Sequence, residues 1–127
     1  MANCVFCDLL KSETVVQRSD RFGAFFDAYP VSPGHLLIVP LRHFESFFEF
    51  DQDEAAELYP FVAGCKDVLD RRFEPSGYNL GVNAGRAAGQ TVMHAHLHLI
   101  PRYSGDVPDP RGGVRGIFPD IARYWDA

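Results

Sequence analysis

Short segments of this chain alternate between hydrophobic and polar positions, which is the period of a β-strand. The pattern predicts four strands: residues 21–27, 35–40 and 78–82, and a segment that starts at His94 and closes at Pro101. Residues 28–34 contain two prolines and a glycine, so the first two strands are expected to form a hairpin or meander pair.

A helical period follows in the middle of the chain. Apolar residues at three- and four-residue spacing predict one helix from Asp51 to about Phe73, with acidic residues in its first turn. Pro60 lies inside it and predicts a kink or a break. One short helical turn is expected within residues 1–11, and the tail from Tyr103 shows no periodicity. Strands on both sides of one main helix favour an α+β fold with an antiparallel sheet.

Composition narrows the class of protein. A chain of 127 residues fits one domain, and its net charge of −5 argues against a general nucleic-acid or membrane-surface partner. The sequence shows no charged-then-apolar leader and no apolar run that could span a bilayer, so a cytoplasmic location is expected. Three cysteines do not make a disulfide framework.

The strand from His94 carries the most informative chemistry. His94, His96 and His98 alternate with apolar residues, so a strand directs all three imidazoles to one face. Ala95, Leu97 and Leu99 then point into the core. A single histidine on such a strand is usually an ordinary core residue, but three in register indicate a functional site.

A second group of residues could bind a metal. Cys4 and Cys7 have the spacing of two zinc ligands, and His43 and His94 could complete a tetrahedral Cys₂His₂ site. A redox role would need a thioredoxin-like βαβ context, which is absent. The alternative is a small buried cysteine pair, with His43 an ordinary loop residue. Cys65 falls on the apolar helix stripe and is expected to be an inert core thiol.

Residues 83–91 form a loop rich in glycine and alanine directly before the histidines. Such a loop lets a phosphate approach backbone N–H groups, although it could be an ordinary connection. Three histidines could ligate a catalytic metal, or one could attack phosphorus as a nucleophile. A catalytic metal site would be expected to include a carboxylate ligand nearby, and residues 83–102 contain no Asp or Glu. The sequence therefore favours a nucleophilic histidine over a catalytic metal.

These motifs together resemble the histidine triad family, whose signature alternates three histidines with apolar residues. The segment from His94 to Ile100, its flanks, residues 27–40 and His43 carry the resemblance, which covers roughly residues 3–105. It implies a single domain over 1–127 with 104–127 as a C-terminal extension, and an α+β fold with a five-stranded antiparallel sheet and two helices. It also implies a homodimer, in which the Phe-rich stretch 44–50 would be buried.

The resemblance also implies roles for individual residues. His96 would be the nucleophile that carries a nucleotidyl group, His98 would hydrogen-bond the phosphate, and His35 would orient the triad. Zinc would be structural, held by Cys4, Cys7, His43 and His94. The implied substrate contacts are Asp27 for the ribose, Asn83, Gln90 and Thr91 for phosphate oxygens or the leaving group, and Val5, Phe6, Leu9 and Phe25 for the base.

The implied activity is hydrolysis or transfer at the α-phosphate of a nucleotide conjugate, with release of a nucleoside monophosphate. The first substrate class is dinucleoside polyphosphates such as diadenosine tetraphosphate. Adenosine phosphoramidates and aminoacyl adenylates form a second class. A nucleotide-binding protein without catalysis and a metal-dependent oxygenase remain as other classes of function.

Overall fold

The computed structural model describes residues 3–126 of the chain. These residues fold around one antiparallel sheet. The strands are β1 (Gln17–Arg18), β2 (Phe22–Phe26), β3 (Leu36–Pro40), β4 (Gly77–Gly81) and β5 (Leu97–Arg102). They lie in the order β1-β2-β3-β5-β4, and every neighbouring pair is antiparallel. The expected α+β class, the five-stranded sheet and the β2–β3 hairpin are confirmed.

The sequence pattern missed β1 and misplaced the end of β5. β1 has only two residues, which is too short for any alternation to show. β5 continues through Pro101 to Arg102 because β3 pairs with β5 only as far as Leu99. Pro101 therefore needs no N–H on that side, and its carbonyl accepts a hydrogen bond from the Ser32 hydroxyl at 2.7 Å.

Helix α2 (Gln52–Phe73) begins at the N-cap Asp51, as the acidic first turn predicted. The Asp51 side chain accepts the Glu54 N–H, and the Glu54 side chain accepts the Asp51 N–H, which forms a capping box. The sequence predicted a kink or a break at Pro60, and the break is wrong because the helix is continuous. Pro60 and Ala56 are both exposed, so the Ala56 carbonyl that loses its helical donor faces solvent.

The two helices cover opposite faces of the sheet. Phe61, Cys65 and Leu69 of α2 are buried against one face, in a cluster that includes Leu97 and Leu99 of β5. Helix α1 (Val5–Leu10) packs on the other face, where its Phe6 and Leu10 join a smaller cluster. That cluster contains Cys4, Phe25, Leu37 and Val39. The sheet therefore has α2 on one face and leaves the other face for α1 and the histidines.

The stretch 44–50 is not the exposed Phe-rich surface that the sequence suggested. Phe44 is buried, and Phe47 and Phe50 pack against the α2 core, so Phe48 is the exposed phenylalanine of this stretch. Beyond β5 the chain folds into short 3-10 turns at Gly113–Ile117, Pro119–Ile121 and Tyr124–Asp126. Within the described residues, none of the helices is both long and apolar enough to cross a membrane.

Candidate active site and metal centre

The three histidines lie at the start of β5 and just before it. His96 and His98 have ring centroids 5.2 Å apart, and Phe6 of α1 contacts His96 edge-on at 4.9 Å. The intervening Ala95, Leu97 and Leu99 are buried, as predicted. The prediction of a strand from His94 is wrong, because the chain bends at residues 92–94 and β5 begins only at Leu97. Between them, the Ala95 N–H donates to the Phe44 carbonyl at 2.7 Å.

His94 turns away from the other two rings towards the N-terminal cysteines. Its Nδ1 lies 3.4 Å from the Cys4 Sγ and 3.1 Å from the Nδ1 of His43, which in turn lies 3.4 Å from the Cys7 Sγ. The four ligand atoms all lie within 4.8 Å of one another. The structure thus brings together the four residues grouped from the sequence.

The donor set fits a tetrahedral zinc ion. With zinc–sulfur bonds of about 2.3 Å and zinc–nitrogen bonds of about 2.0 Å, neighbouring ligand atoms are separated by roughly 3.3–3.8 Å. The separations of the His94 Nδ1 from both sulfurs and from the His43 Nδ1, and of the His43 Nδ1 from the Cys7 Sγ, are 3.1–3.6 Å and so lie close to that range. Burial, helped by Cys4, raises the pKa of the Cys7 thiol, and a bound cation would reverse this because thiolates are the ligating form.

Backbone carbonyls fix the tautomers of two of the triad rings. The Nε2 of His94 lies 2.8 Å from the Pro40 carbonyl, and the Nδ1 of His96 lies 2.8 Å from the His94 carbonyl. A carbonyl only accepts, so each of these nitrogens carries the proton and donates it. His94 therefore presents the Nδ1 lone pair to the cysteines, and His96 keeps its lone pair on Nε2. Burial lowers the pKa of both rings, which favours their neutral forms.

A hydrogen bond from His35 fixes the tautomer of His98. The Val31 N–H donates to the Nδ1 of His35 at 3.1 Å, so His35 is protonated on Nε2. That Nε2 lies 2.9 Å from the Nδ1 of His98 and 3.5 Å from the Asp27 Oδ2. His98 consequently accepts at Nδ1 and holds its own proton on Nε2. Burial, with the nearby His96 and His35, lowers the pKa of His98 to about 4 and so keeps the ring neutral.

Asp27, His35 and His98 also bring three metal-binding atoms together. A metal on the Nε2 of His35 would require that ring to lose its proton while Nδ1 still accepts from Val31. The ring would then be an imidazolate, which is a costly state without a second cation. This group is better described as a hydrogen-bonded chain than as a metal centre.

A cavity of about 530 Å³ lies in front of His96 and His98. Its lining combines aliphatic and aromatic side chains with a few polar groups, the composition expected of a small-molecule site. Most of the residues that the resemblance assigned to the substrate line it: Val5, Phe6, Leu9, Phe25, Asp27, Asn83 and Thr91.

Gln90 is the exception, because its side chain is buried away from the cavity. Its Oε1 accepts the Gly85 N–H at 2.9 Å, and its Nε2 donates to the Glu45 and Val92 carbonyls at 2.7 and 3.0 Å. All of the amide is used to hold the loop 83–91 against residue 45.

Several contributors to the site were not identified from the sequence. Leu37 lines the cavity, and the strand period could have indicated this because Leu37 and Val39 share one face of β3, directly after His35. Tyr29 also lines the cavity and is 88% exposed, with its N–H held by the Asp27 Oδ1 at 2.9 Å. Nothing in the residue pattern singles it out.

Proteins of similar sequence are found in archaea, bacteria and yeast. An uncharacterized HIT-like protein of Methanocaldococcus jannaschii is 41% identical over 108 residues, which cover 81% of each chain. The AP-4-A phosphorylase of Mycobacterium tuberculosis is 37% identical over 93 residues, 72% of this chain and 48% of its own. The asymmetrical bis(5'-nucleosyl)-tetraphosphatase of Schizosaccharomyces pombe is 35% identical over 92 residues, 72% of this chain and 50% of its own. The chain spans about half the length of these last two proteins.

Solved structures share the fold. A HIT family protein from Bacillus anthracis superposes with a TM-score of 0.75 at 35% identity, covering 83% of this chain and 77% of its own. A zinc-bound histidine triad family protein from Mycobacterium smegmatis gives a TM-score of 0.73 at 27% identity, covering 84% of both chains. The HIT domain profile matches residues 10–105. With most of its length matched in sequence and in fold, the chain belongs to the HIT domain family.

Proposed function

We propose that this protein is a nucleotide hydrolase or transferase that acts at the α-phosphate of a nucleotide conjugate, with His96 as the nucleophile. The observation that carries the proposal is the hydrogen bond from the Nδ1 of His96 to the His94 carbonyl. It leaves the Nε2 lone pair for phosphorus, on a ring that lines the cavity. A metal-dependent oxygenase would use the rings as metal ligands. The hydrogen bonds from Val31 to His35 and from His35 to His98 disfavour that use, because they already occupy both ring nitrogens of His35 and the Nδ1 of His98.

The reaction divides into two displacements at phosphorus. The Nε2 of His96 forms a bond to the α-phosphorus, and the bond from phosphorus to the leaving group breaks with its electron pair. An amine leaving group takes a proton from water, whereas a phosphate leaving group needs none. Water, or the hydroxide left when an amine takes its proton, then attacks the phosphorus. The bond from phosphorus to the Nε2 of His96 breaks with its electron pair on nitrogen, and a proton of the attacking water passes to solvent. This step releases a nucleoside monophosphate and regenerates neutral His96.

His98 stabilises charge in both steps without changing its protonation state. Its Nε2–H can donate to a phosphate oxygen while its Nδ1 accepts from His35. His35 touches no substrate in this account and acts as a positioning residue. The loop 83–91 supplies further donors, with Asn83 and Thr91 at the phosphate. We assign Gln90 to holding this loop instead of contacting the ligand.

The remaining cavity residues suit a nucleoside. Asp27 offers a carboxylate oxygen that could accept from ribose hydroxyls, and four apolar side chains form a slot that could hold a base. These side chains are Val5, Phe6, Leu9 and Phe25. An apolar slot binds any flat base, so the site favours nucleotides as a class without selecting one of them.

Two substrate classes follow from different observations. The names of the mycobacterial and yeast relatives support a dinucleoside polyphosphate such as diadenosine tetraphosphate. The lining of the cavity, which contains no lysine or arginine among the described residues, favours a leaving group without a phosphate chain. Adenosine phosphoramidates and aminoacyl adenylates are therefore the second candidate class.

Zinc has a structural role in this proposal. Four protein ligands would fill a tetrahedral ion, so it would hold no open position for water and would supply no reaction step. Cys4 and Cys7 belong to the start of α1, and His94 precedes β5, so the ion would tie the helix that carries Phe6 to the histidine segment. The family resemblance further supports a homodimer and a cytoplasmic setting as parts of the proposal.

The test measures nucleoside monophosphate release from diadenosine tetraphosphate and from adenosine phosphoramidate. Wild type and His96→Ala are compared, and binding of adenosine monophosphate to both proteins reports whether the cavity is intact. Release by wild type alone, with binding retained in the variant, supports the assignment. Equal release by both proteins would exclude His96 as the nucleophile, and binding without release would indicate a nucleotide-binding protein.

A further inference from the structure

A second cavity of about 360 Å³ lies beside the first. The two cavities share three lining residues, Val5, Thr91 and Val92, so a ligand that extends past Thr91 from His96 would enter the second one. The second cavity is more polar and more open to solvent. Its other lining residues are Asn3, Cys4, His43, Glu45 and Met93.

The one acidic side chain of this second cavity is held in place through its backbone. The Glu45 carbonyl accepts the Gln90 Nε2–H, and the preceding Phe44 carbonyl accepts the Ala95 N–H. Both donors belong to the segment that carries the loop and the histidines. The backbone at Glu45 is therefore held beside the segment that carries His96, and its exposed carboxylate lines the second cavity.

The charges around the two cavities select against an anionic leaving group. Among the described residues that line either cavity, none is a lysine or an arginine, and the carboxylates are Asp27 in the first and Glu45 in the second. The basic residue on the loop 83–91, Arg86, is exposed and lines neither cavity. A polyphosphate chain entering the second cavity would approach Glu45, and none of the described lining residues is a lysine or an arginine that could offset the repulsion.

We propose that this second cavity is a leaving-group subsite, in which Glu45 favours a leaving group whose far end carries a positive charge. Such a group is an amine joined to the α-phosphate through nitrogen and bearing an ammonium a few bonds away. The inference rests on the proposed function, because it locates the group that His96 expels. Thr91 lines both cavities, so the bond from the α-phosphorus to the leaving group would cross from the first to the second there.

The test compares adenosine 5′-phosphoramidates that differ only in the amine. Ethylenediamine leaves a cationic end, propylamine has the same length and no charge, and β-alanine leaves an anionic end. For wild type we expect kcat/KM to fall in that order, with roughly threefold to tenfold between the cationic and neutral compounds. Diadenosine tetraphosphate serves as the polyphosphate arm and should be slower than the ethylenediamine compound.

Variants at Glu45 separate this inference from the chemistry of the site. Glu45→Gln should bring the ratio of kcat/KM for the cationic and neutral substrates close to one. Glu45→Lys should favour the β-alanine compound. Asp67→Asn, which removes the same charge from the exposed surface of α2, should keep the wild-type ratios.

The outcomes are distinguishable. Ratios that are unaffected by Glu45→Gln, or a wild type that prefers diadenosine tetraphosphate, would overturn the subsite while turnover still supports the role of His96. Absence of turnover on every compound would overturn the proposed function itself.

Discussion

The Nε2 of His35 lies 2.9 Å from the Nδ1 of His98, and the Val31 N–H holds the opposite nitrogen of His35 at 3.1 Å. A backbone amide thus determines which nitrogen of His98 faces the cavity with a proton. This series of hydrogen bonds runs through the buried ring of His35 and the half-buried ring of His98. Its pattern of donors and acceptors does not change with pH as long as both rings stay neutral.

His35→Ala should therefore lower kcat more than it raises KM. Without the donor from His35, the His98 ring can adopt the other tautomer, which offers a lone pair to the phosphate in place of a proton. A loss of roughly tenfold in kcat is expected from one hydrogen bond. His35→Gln offers an amide donor and should recover part of the rate. A change confined to KM in both variants would contradict the positioning role.

Zinc is expected at one equivalent per chain in protein purified without chelator, measured by elemental analysis. Cys4→Ser and His43→Ala should lose the metal and several kcal/mol of unfolding free energy, because metal binding contributes to folding. Cys65→Ala is the matched thiol control. It removes a buried core sulfur and should lower stability while keeping the zinc content. Full zinc content in the Cys4→Ser protein would refute the ligand assignment.

Gln90→Glu should destabilise the fold far more than its small size change suggests. The new carboxylate could not donate to the Glu45 and Val92 carbonyls, and it would bring a charge into a buried position. A loss of about 3 kcal/mol in urea unfolding is expected. Gln52→Glu, on the exposed first turn of α2, is the control and should be nearly neutral. Equal stability of the two variants would mean that the amide does not hold the loop.

Stability should decrease in mild acid because of His98. Its pKa is about 4 in the fold and near 6.5 when unfolded, so the unfolded chain binds the proton first. The contribution is complete above pH 6.5 and is lost as pH falls towards 4, by about 2 kcal/mol between pH 7 and pH 5. The groups facing His98 are His35, His96 and the Asp27 carboxylate, and the last opposes the shift.

His98→Asn isolates this effect from other titrating groups. Its unfolding free energy should change less than that of wild type over the same interval. Parallel curves for the two proteins would show that the His98 ring does not titrate with a lowered pKa.

The sequence was informative where side-chain periodicity decides the outcome. Alternation placed His96 and His98 on the face opposite Leu97 and Leu99, and the helical stripe located α2. It could not reveal the Pro40 carbonyl or the Val31 N–H, because these are backbone groups whose positions depend on the fold. The Pro40 carbonyl fixes the tautomer of His94, and the Val31 N–H fixes that of His35 and, through it, that of His98.

Other differences have equally local causes. The Gln90 side chain has the donors and acceptor expected of a ligand contact. In the fold, its amide lies inside the loop and hydrogen-bonds three backbone groups instead. Pro60 is a helix breaker by propensity, yet tertiary packing of Phe61 and Cys65 keeps α2 continuous. Such outcomes depend on packing and solvent exposure and not on the order of residue types.

The central claim is that His96 carries a covalent nucleotidyl group, and intact-mass spectrometry tests it most directly. Protein is mixed with diadenosine tetraphosphate or with an adenosine phosphoramidate and quenched in alkali, which preserves a phosphohistidine bond. The account predicts one adenylyl adduct on wild type and none on His96→Ala, which should still bind adenosine monophosphate. An adduct that persists in His96→Ala, or rapid monophosphate release by wild type without any adduct at the earliest times, would contradict it.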